Sequence, residues 1–243
     1  MAGPTAAPAG VAPAPGALLF DLDGTLIDSM PLHHVAWRQF FAERGLPFDE
    51  DGFFAATAGR HNDEILADLF PGSSRAELLA LADAKEALYR AEAARSLGLI
   101  PGALGFLQQA AAAGWRLAIC TAAPLANIAV AFERFGLGAL VHTTTSPADL
   151  KFGGAAGMTL RGKPHPDIFE EAARRLDVPA ARCVVFEDAP LGVEAARRAG
   201  MAAVALTTTL PASAFASYPN LRHSMADFTE FDLTTLARDH HHA

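Results

Sequence analysis

The stretch Phe20-Asp21-Leu22-Asp23-Gly24-Thr25-Leu26 constrains this chain more than any other. An apolar run, Ala17-Leu18-Leu19-Phe20, leads directly into two aspartates and a Gly-Thr turn. A short apolar run ahead of glycine reads as a buried strand. Side chains alternate along a strand, so Asp21 and Asp23 share one side where the strand ends. Two unpaired carboxylates there repel and are costly to bury, and a metal ion or a cationic clamp removes that cost. An EF-hand calcium loop also begins Asp-x-Asp, but its turn glycine is sixth and a helix precedes it. Here glycine is fourth and a strand precedes it. Taken alone, the stretch also suits a plain turn with two solvated aspartates.

The rest of the chain alternates strand and helix signals. Ser29 is placed to cap a helix over residues 30–44, with Leu32, Val35, Ala36, Phe40 and Phe41 on one side. A block without strand signals follows, with helices expected over 53–58, 61–70 and 73–97, and Pro101-Gly102 punctuates it. Helix is then expected over 103–113, strand over 115–120, helix over 124–135 and a short strand over 139–142. Residues 164–176 read as helix, 183–186 as strand, 190–199 as helix and 201–206 as strand. Proline starts the helix at Pro190 and Gly200 lies just past its end, the usual asymmetry. Strands alternating with helices imply a doubly wound parallel sheet, an α/β fold.

Composition narrows the setting. A chain of 243 residues, 51% hydrophobic, supports one full core and a smaller accessory unit. A net charge of −8 argues against nucleic acid or an anionic membrane as partner. Cys120 and Cys183 lie inside apolar runs and read as buried free thiols, which suits a reducing cytoplasm. No apolar run is long enough to span a bilayer. Residues 1–16, rich in alanine and proline, read as a disordered arm rather than a signal peptide. His240, His241 and His242 read as a frayed tail rather than a metal site.

Polar residues cluster at expected strand ends. The first strand ends at Asp21 and Asp23, the strand 115–120 at Thr121, and the strand 183–186 at Glu187 and Asp188. In open α/β sheets the carboxyl ends of parallel strands converge on one crevice. Lys163, in Arg161-Gly162-Lys163-Pro164-His165-Pro166-Asp167, precedes a helix and can join them. Each has an ordinary alternative: Thr121 a strand-end hydroxyl, Lys163 a solvated loop residue, Glu187-Asp188 an acidic first turn favouring the helix dipole. Together and in this order they point to chemistry at one place.

The joint pattern, from about residue 17 to 206, resembles the haloacid dehalogenase superfamily. Asp21-Leu22-Asp23-Gly24-Thr25 matches its first motif, Thr121 its second, Gly162-Lys163-Pro164 its third and Phe186-Glu187-Asp188-Ala189-Pro190-Leu191-Gly192 its fourth. Asp28-Ser29, His33, Trp37 and the run Lys163 to Phe169 are similar to the β-phosphoglucomutase-like subfamily. The resemblance implies a Rossmann-like core, residues 17–28 and 100–243, with an α-helical cap inserted at residues 29–99. It implies a hydrolase that uses Mg2+, held by Asp21 and Asp188 with the Asp23 carbonyl and Glu187 in support. It further implies Asp21 as nucleophile, Asp23 as acid and base, and Lys163 and Thr121 as holders of the phosphoryl oxygens. The superfamily's dehalogenases generally lack the second aspartate and the acidic cluster, so Asp23 with Glu187-Asp188 favours phosphate substrates. A non-catalytic binding protein on this fold is a third reading.

The substrate is expected to be a small phosphorylated metabolite, a sugar or polyol phosphate, met by a cytoplasmic monomer with no nucleic-acid or membrane partner. On the substrate and cap side the candidates are His33, Arg60, Asn62, Lys85 and Ala122. A phosphomutase, the alternative activity, holds a second phosphate from the cap, usually through arginine. The register puts Asn62 at that place, with Arg60 as a substitute or the site absent. Lys85 reads equally as an exposed residue on a long helix. The Gly/Ala-rich stretch 149–161 is expected to form a flap or surface loop.

Overall fold

The computed structural model describes residues 16–57, 62–147, 160–229 and 231–239. The expected N-terminal arm up to residue 15, Arg60, most of the 149–161 stretch and the terminal histidines lie outside them. Six parallel strands form one sheet: β1 (Ala17–Phe20), β4 (Arg116–Cys120), β5 (Thr143–Thr145), β6 (Cys183–Glu187), β7 (Ala202–Leu206) and β8 (Leu221–Met225). Their order is β5-β4-β1-β6-β7-β8, which puts β1 between β4 and β6. Phe20 is level with Ile119 on one side and Phe186 on the other.

Helices cover both faces, so the central strands are buried throughout and read as continuous apolar runs. Leu18 and Phe20 face one core with Phe106, Leu107 and Ile128, from α5 (Ala103–Ala112) and α6 (Leu125–Phe135). Ala17 and Leu19 face the other, with Ile168, Phe169 and Val193 from α7 (Asp167–Leu176) and α8 (Pro190–Arg198). Phe20 stacks on Phe186 with ring centroids 4.8 Å apart and meets Phe106 edge-on at 6.1 Å. A short α9 (Thr234–Asp239) closes the described chain.

A separate helical unit stands at the carboxyl edge of β1. It contains α1 (Met30–Glu43), α2 (Glu50–Thr57), α3 (Asn62–Leu69) and α4 (Arg75–Ser96). Its own small core is aromatic: Trp37, Phe40 and Phe41 with Ile65 and Leu66. Ser74 caps α4 reciprocally: its hydroxyl accepts from Glu77 N–H, and the Glu77 carboxylate accepts from Ser74 N–H at 2.7 Å.

The structure corrects several expectations. The block is not strandless to residue 99, because β3 (Gly98–Leu99) pairs antiparallel with β2 (Ile27–Asp28). This two-residue ribbon joins the helical unit to the sheet domain and is too short to leave a periodic signal. Residues 139–142 are not a strand; a 3-10 turn at Leu137–Ala139 precedes β5, whose three β-branched threonines suit an edge strand. Helix α7 starts at Asp167 rather than 164, since Pro166 keeps His165 out of helical backbone. Strand β8 has no counterpart in the sequence reading, because Leu-Arg-His-Ser-Met is a polar, half-exposed edge. Gly16 does not belong to the arm: it is buried, and its carbonyl accepts from Arg116 N–H at 2.9 Å. Ser29 stands at the N-cap of α1 but makes no side-chain capping bond. Lys85 is buried on α4, not exposed.

Candidate active site

The strand ends do converge. Asp21 follows β1, and its N–H donates to the Phe186 carbonyl at 2.9 Å, which continues the β1–β6 ladder one residue further. That places its carboxylate beside Glu187 and Asp188. One oxygen from each of these three buried carboxylates lies within 4.8 Å of the others. Lys163 reaches in from the loop ahead of α7. Its ammonium is 2.5 Å from Asp21 Oδ1, 2.5 Å from Glu187 Oε1 and 3.3 Å from the Cys120 carbonyl, so it ties the ends of β1, β6 and β4 together. Lys163 is therefore a part-buried ion-pair partner of Asp21 and Glu187 rather than a solvated loop residue.

Charge in this cluster is unbalanced: three carboxylates face one ammonium. Burial raises the Asp21 carboxyl well above the usual range, and Lys163 offsets this only in part against Glu187, Asp188 and Asp23. Burial and then Glu187 lift Asp188 to about 7. Burial by itself would lower the Lys163 ammonium, but Asp21 and Glu187 outweigh it and hold the charge. Carboxylates this reluctant to ionise, with oxygen donors only, are what a hard divalent cation stabilises.

Two glycines permit the approach. Gly24 has φ +73°, and a Cβ there would overlap the Asp188 carboxylate. A Cβ at Gly192 would overlap the Glu187 carboxylate. Thr121 is fully buried after β4, and its hydroxyl oxygen accepts from Ala123 N–H at 3.0 Å, which leaves its proton to donate. Ala122, beside it, is exposed. Burial pushes the Cys120 thiol up to about 12, so this strand end offers its carbonyl rather than a thiolate.

Asp23 is not part of the three-carboxylate cluster. Its Oδ1 lies 3.7 Å from His33 Nε2, on α1. Burial raises its carboxyl, but the His33 hydrogen bond and charge prevail and hold it below the ordinary value. His33 stacks on Tyr89 with centroids 4.0 Å apart, and its Nδ1 is 2.7 Å from the Lys85 ammonium. Lys85 donates in turn to Glu86 Oε1 at 2.8 Å. Asn62, expected at a phosphate-binding position, instead donates its amide to Glu86 Oε1 at 2.5 Å.

Four contributors went unnoticed in the sequence. Glu86 is one, masked as an ordinary acid on a charged helix. Asn127 of α6 donates to Glu86 Oε2 at 2.5 Å, a bond from the sheet domain to the helical unit that no local pattern announces. Thr209, just after β7, donates to Asp188 Oδ2, and Thr208 donates to the Gly24 carbonyl at 2.5 Å. The run Thr207-Thr208-Thr209 directly after an apolar strand was the available signal.

A family model described as haloacid dehalogenase-like hydrolase matches residues 15–200. The chain belongs to this family. Among the family's members, it is 35% identical over 215 residues to validoxylamine A 7'-phosphate phosphatase of Streptomyces hygroscopicus subsp. limoneus, covering 87% of this chain and 93% of that one. It is 31% identical over 211 residues to hexitol phosphatase A of Escherichia coli (strain K12), covering 87% and 92%. A haloacid dehalogenase hydrolase from Entamoeba histolytica, family IA, superposes with a TM-score of 0.81 at 26% identity, covering 93% of this chain and 99% of that one. Among the described residues, no helix is long and apolar enough to cross a membrane.

Proposed function

We propose that this protein is a magnesium-dependent phosphatase that hydrolyses a small sugar or polyol phosphate through an aspartyl phosphate on Asp21. The convergence of Asp21, Glu187 and Asp188 on Lys163 carries this reading. Asp21 and Asp188 would hold Mg2+, with the Asp23 carbonyl and Glu187 in support. The bound ion would supply neutralisation of charge between phosphate and nucleophile.

A carboxylate oxygen of Asp21 attacks phosphorus, and the bond from phosphorus to the substrate oxygen breaks. Asp23 gives its proton to that leaving oxygen. In the free site Asp23 is held ionised beside His33; an arriving phosphate dianion adds negative charge and raises its affinity for the proton. Water then loses a proton to Asp23 and attacks the acyl phosphate, which releases phosphate and restores Asp21. Lys163 and Thr121 hold the transferring oxygens. The helical unit, residues 29–99, acts as a cap that closes over this centre and excludes bulk water.

Two of the relatives are named as phosphatases. Hydrolysis is also favoured over phosphate transfer within a sugar by Asn62, whose amide is committed to Glu86 where the mutase pattern has arginine. Incubation with β-glucose 1-phosphate and catalytic bisphosphate should release free phosphate faster than it forms glucose 6-phosphate. The reverse ranking would make the protein a mutase.

A further inference from the structure

We propose that Asp167 is a positioning residue: paired with Arg161, it clasps the loop that carries Lys163 and so fixes the ammonium for phosphoryl transfer. This inference rests on the phosphatase reading above and adds to it two residues that act through Lys163.

The tip of Lys163 is held by groups that the proposed reaction itself engages. Its ammonium meets Asp21 Oδ1 and Glu187 Oε1 at 2.5 Å each, and the Asp21 carboxylate is the one proposed to attack phosphorus. In that reading the contacts at the tip change when phosphate arrives and again when it leaves. A point charge on a flexible four-carbon stem then keeps its aim only if its backbone is fixed from elsewhere.

The base of the loop supplies that fixture. Arg161 N–H donates to Asp167 Oδ2 at 3.0 Å. The Arg161 guanidinium donates to the same oxygen at 2.9 Å through Nε and to Oδ1 at 2.8 Å through Nη2. One carboxylate thus binds both main chain and side chain on the far side of the loop, with Lys163 in between. Within the loop, His165 N–H donates to the Gly162 carbonyl at 3.0 Å, and Pro164 and Pro166 restrict φ. Asp167 is also the first residue of α7, so the clasp is tied to a rigid element. The next residue, Ile168, accepts at its carbonyl from the buried Thr145 hydroxyl at 3.0 Å, which joins this turn to β5. Phe169, fully buried in the same turn, lies under the Lys163 ammonium, 5.4 Å from its ring centroid.

The pair is poorly placed to serve stability. The Arg161 side chain is 62% exposed, and an ion pair at the surface contributes little to folding. A two-pronged guanidinium–carboxylate contact does fix geometry. Misplacing a reacting group by about 1 Å can cost on the order of 100-fold in rate. The consequence of losing this pair therefore falls on Lys163.

Steady-state turnover of p-nitrophenyl phosphate in saturating Mg2+ tests this. Asp167→Asn should lower kcat by about 10-fold to 100-fold, with KM and melting temperature little changed. Arg161→Ala, at an exposed position, should lower kcat in the same way, and Arg161→Lys, which returns one point charge, should recover part of it. In a Lys163→Met background, Asp167→Asn should cause no further loss. A kcat within about twofold of wild type in both Arg161→Ala and Asp167→Asn overturns this proposal and leaves the phosphatase reading intact. So does a full further loss in the Lys163→Met background, or a fall in melting temperature that tracks kcat across the Arg161 variants. No phosphate released by wild type from p-nitrophenyl phosphate or fructose 1-phosphate overturns the phosphatase reading, and this proposal with it.

Discussion

Two buried ionic clusters lie on either side of the cleft, and they differ in how they are balanced. In the sheet domain Asp21, Glu187 and Asp188 crowd around one ammonium, and two of the three acids are driven far from their ordinary affinity for protons. In the helical unit Lys85 and Glu86 pair directly, and amides from Asn62 and Asn127 satisfy what remains. A satisfied cluster holds its own shape. An unsatisfied one is a strain that a ligand relieves, and this imbalance is what supports the proposed site for phosphate and cation.

The sharpest break of this contrast is removal of the nucleophile. Asp21→Asn should lower kcat by on the order of 10^4-fold with unchanged circular dichroism, whereas Asn127→Ala should not approach that loss. Comparable losses in both would erase the distinction between the clusters.

Metal removal comes next. Asp21 and Asp188 bind protons more tightly in the folded chain than in the unfolded one. Their contribution to stability is therefore complete below the ordinary carboxylate value of 3.8 and is lost as pH rises through about 7. In chelator, the melting temperature should fall between pH 5 and pH 8. Mg2+ should restore it most at pH 8, and Asp188→Asn should flatten the slope. A melting temperature indifferent to both pH and Mg2+ would mean the acids are not strained.

Thr209→Val removes the hydroxyl that orients Asp188. Activity should then require about 10-fold to 100-fold more Mg2+, with maximal turnover less affected. A titration midpoint identical to wild type would show that Thr209 does not position the ligand.

Much of the sheet domain was legible because parallel strands buried on both faces leave apolar runs, and each run ends on a polar residue where the crevice lies. The same logic failed at β8 and β2–β3, where an exposed edge and a two-residue ribbon carry no such run. Asp21, Asp188 and Lys163 were visible through motif and position. Glu86 and Asn127 were not, since their pairing joins residues 41 apart in sequence across two units. Thr209 was hidden for a similar reason: its partner arrives from a neighbouring strand end, not from its own segment.

The smallest effect belongs to the balanced cluster. Asn127→Ala leaves one Glu86 oxygen without its donor and should cost about 1–3 kcal/mol in urea unfolding. No measurable loss would show that this bond between sheet domain and helical unit is not maintained in solution.

The central claim is that phosphate passes through Asp21. Rapid acid quench during turnover, followed by borohydride reduction and peptide mapping, reads this directly. The account predicts that the residue at position 21 is recovered as homoserine, the reduction product of an acyl phosphate, and only when substrate and Mg2+ are both present. Recovery of unmodified aspartate there under steady turnover, or modification at another carboxylate, would contradict it.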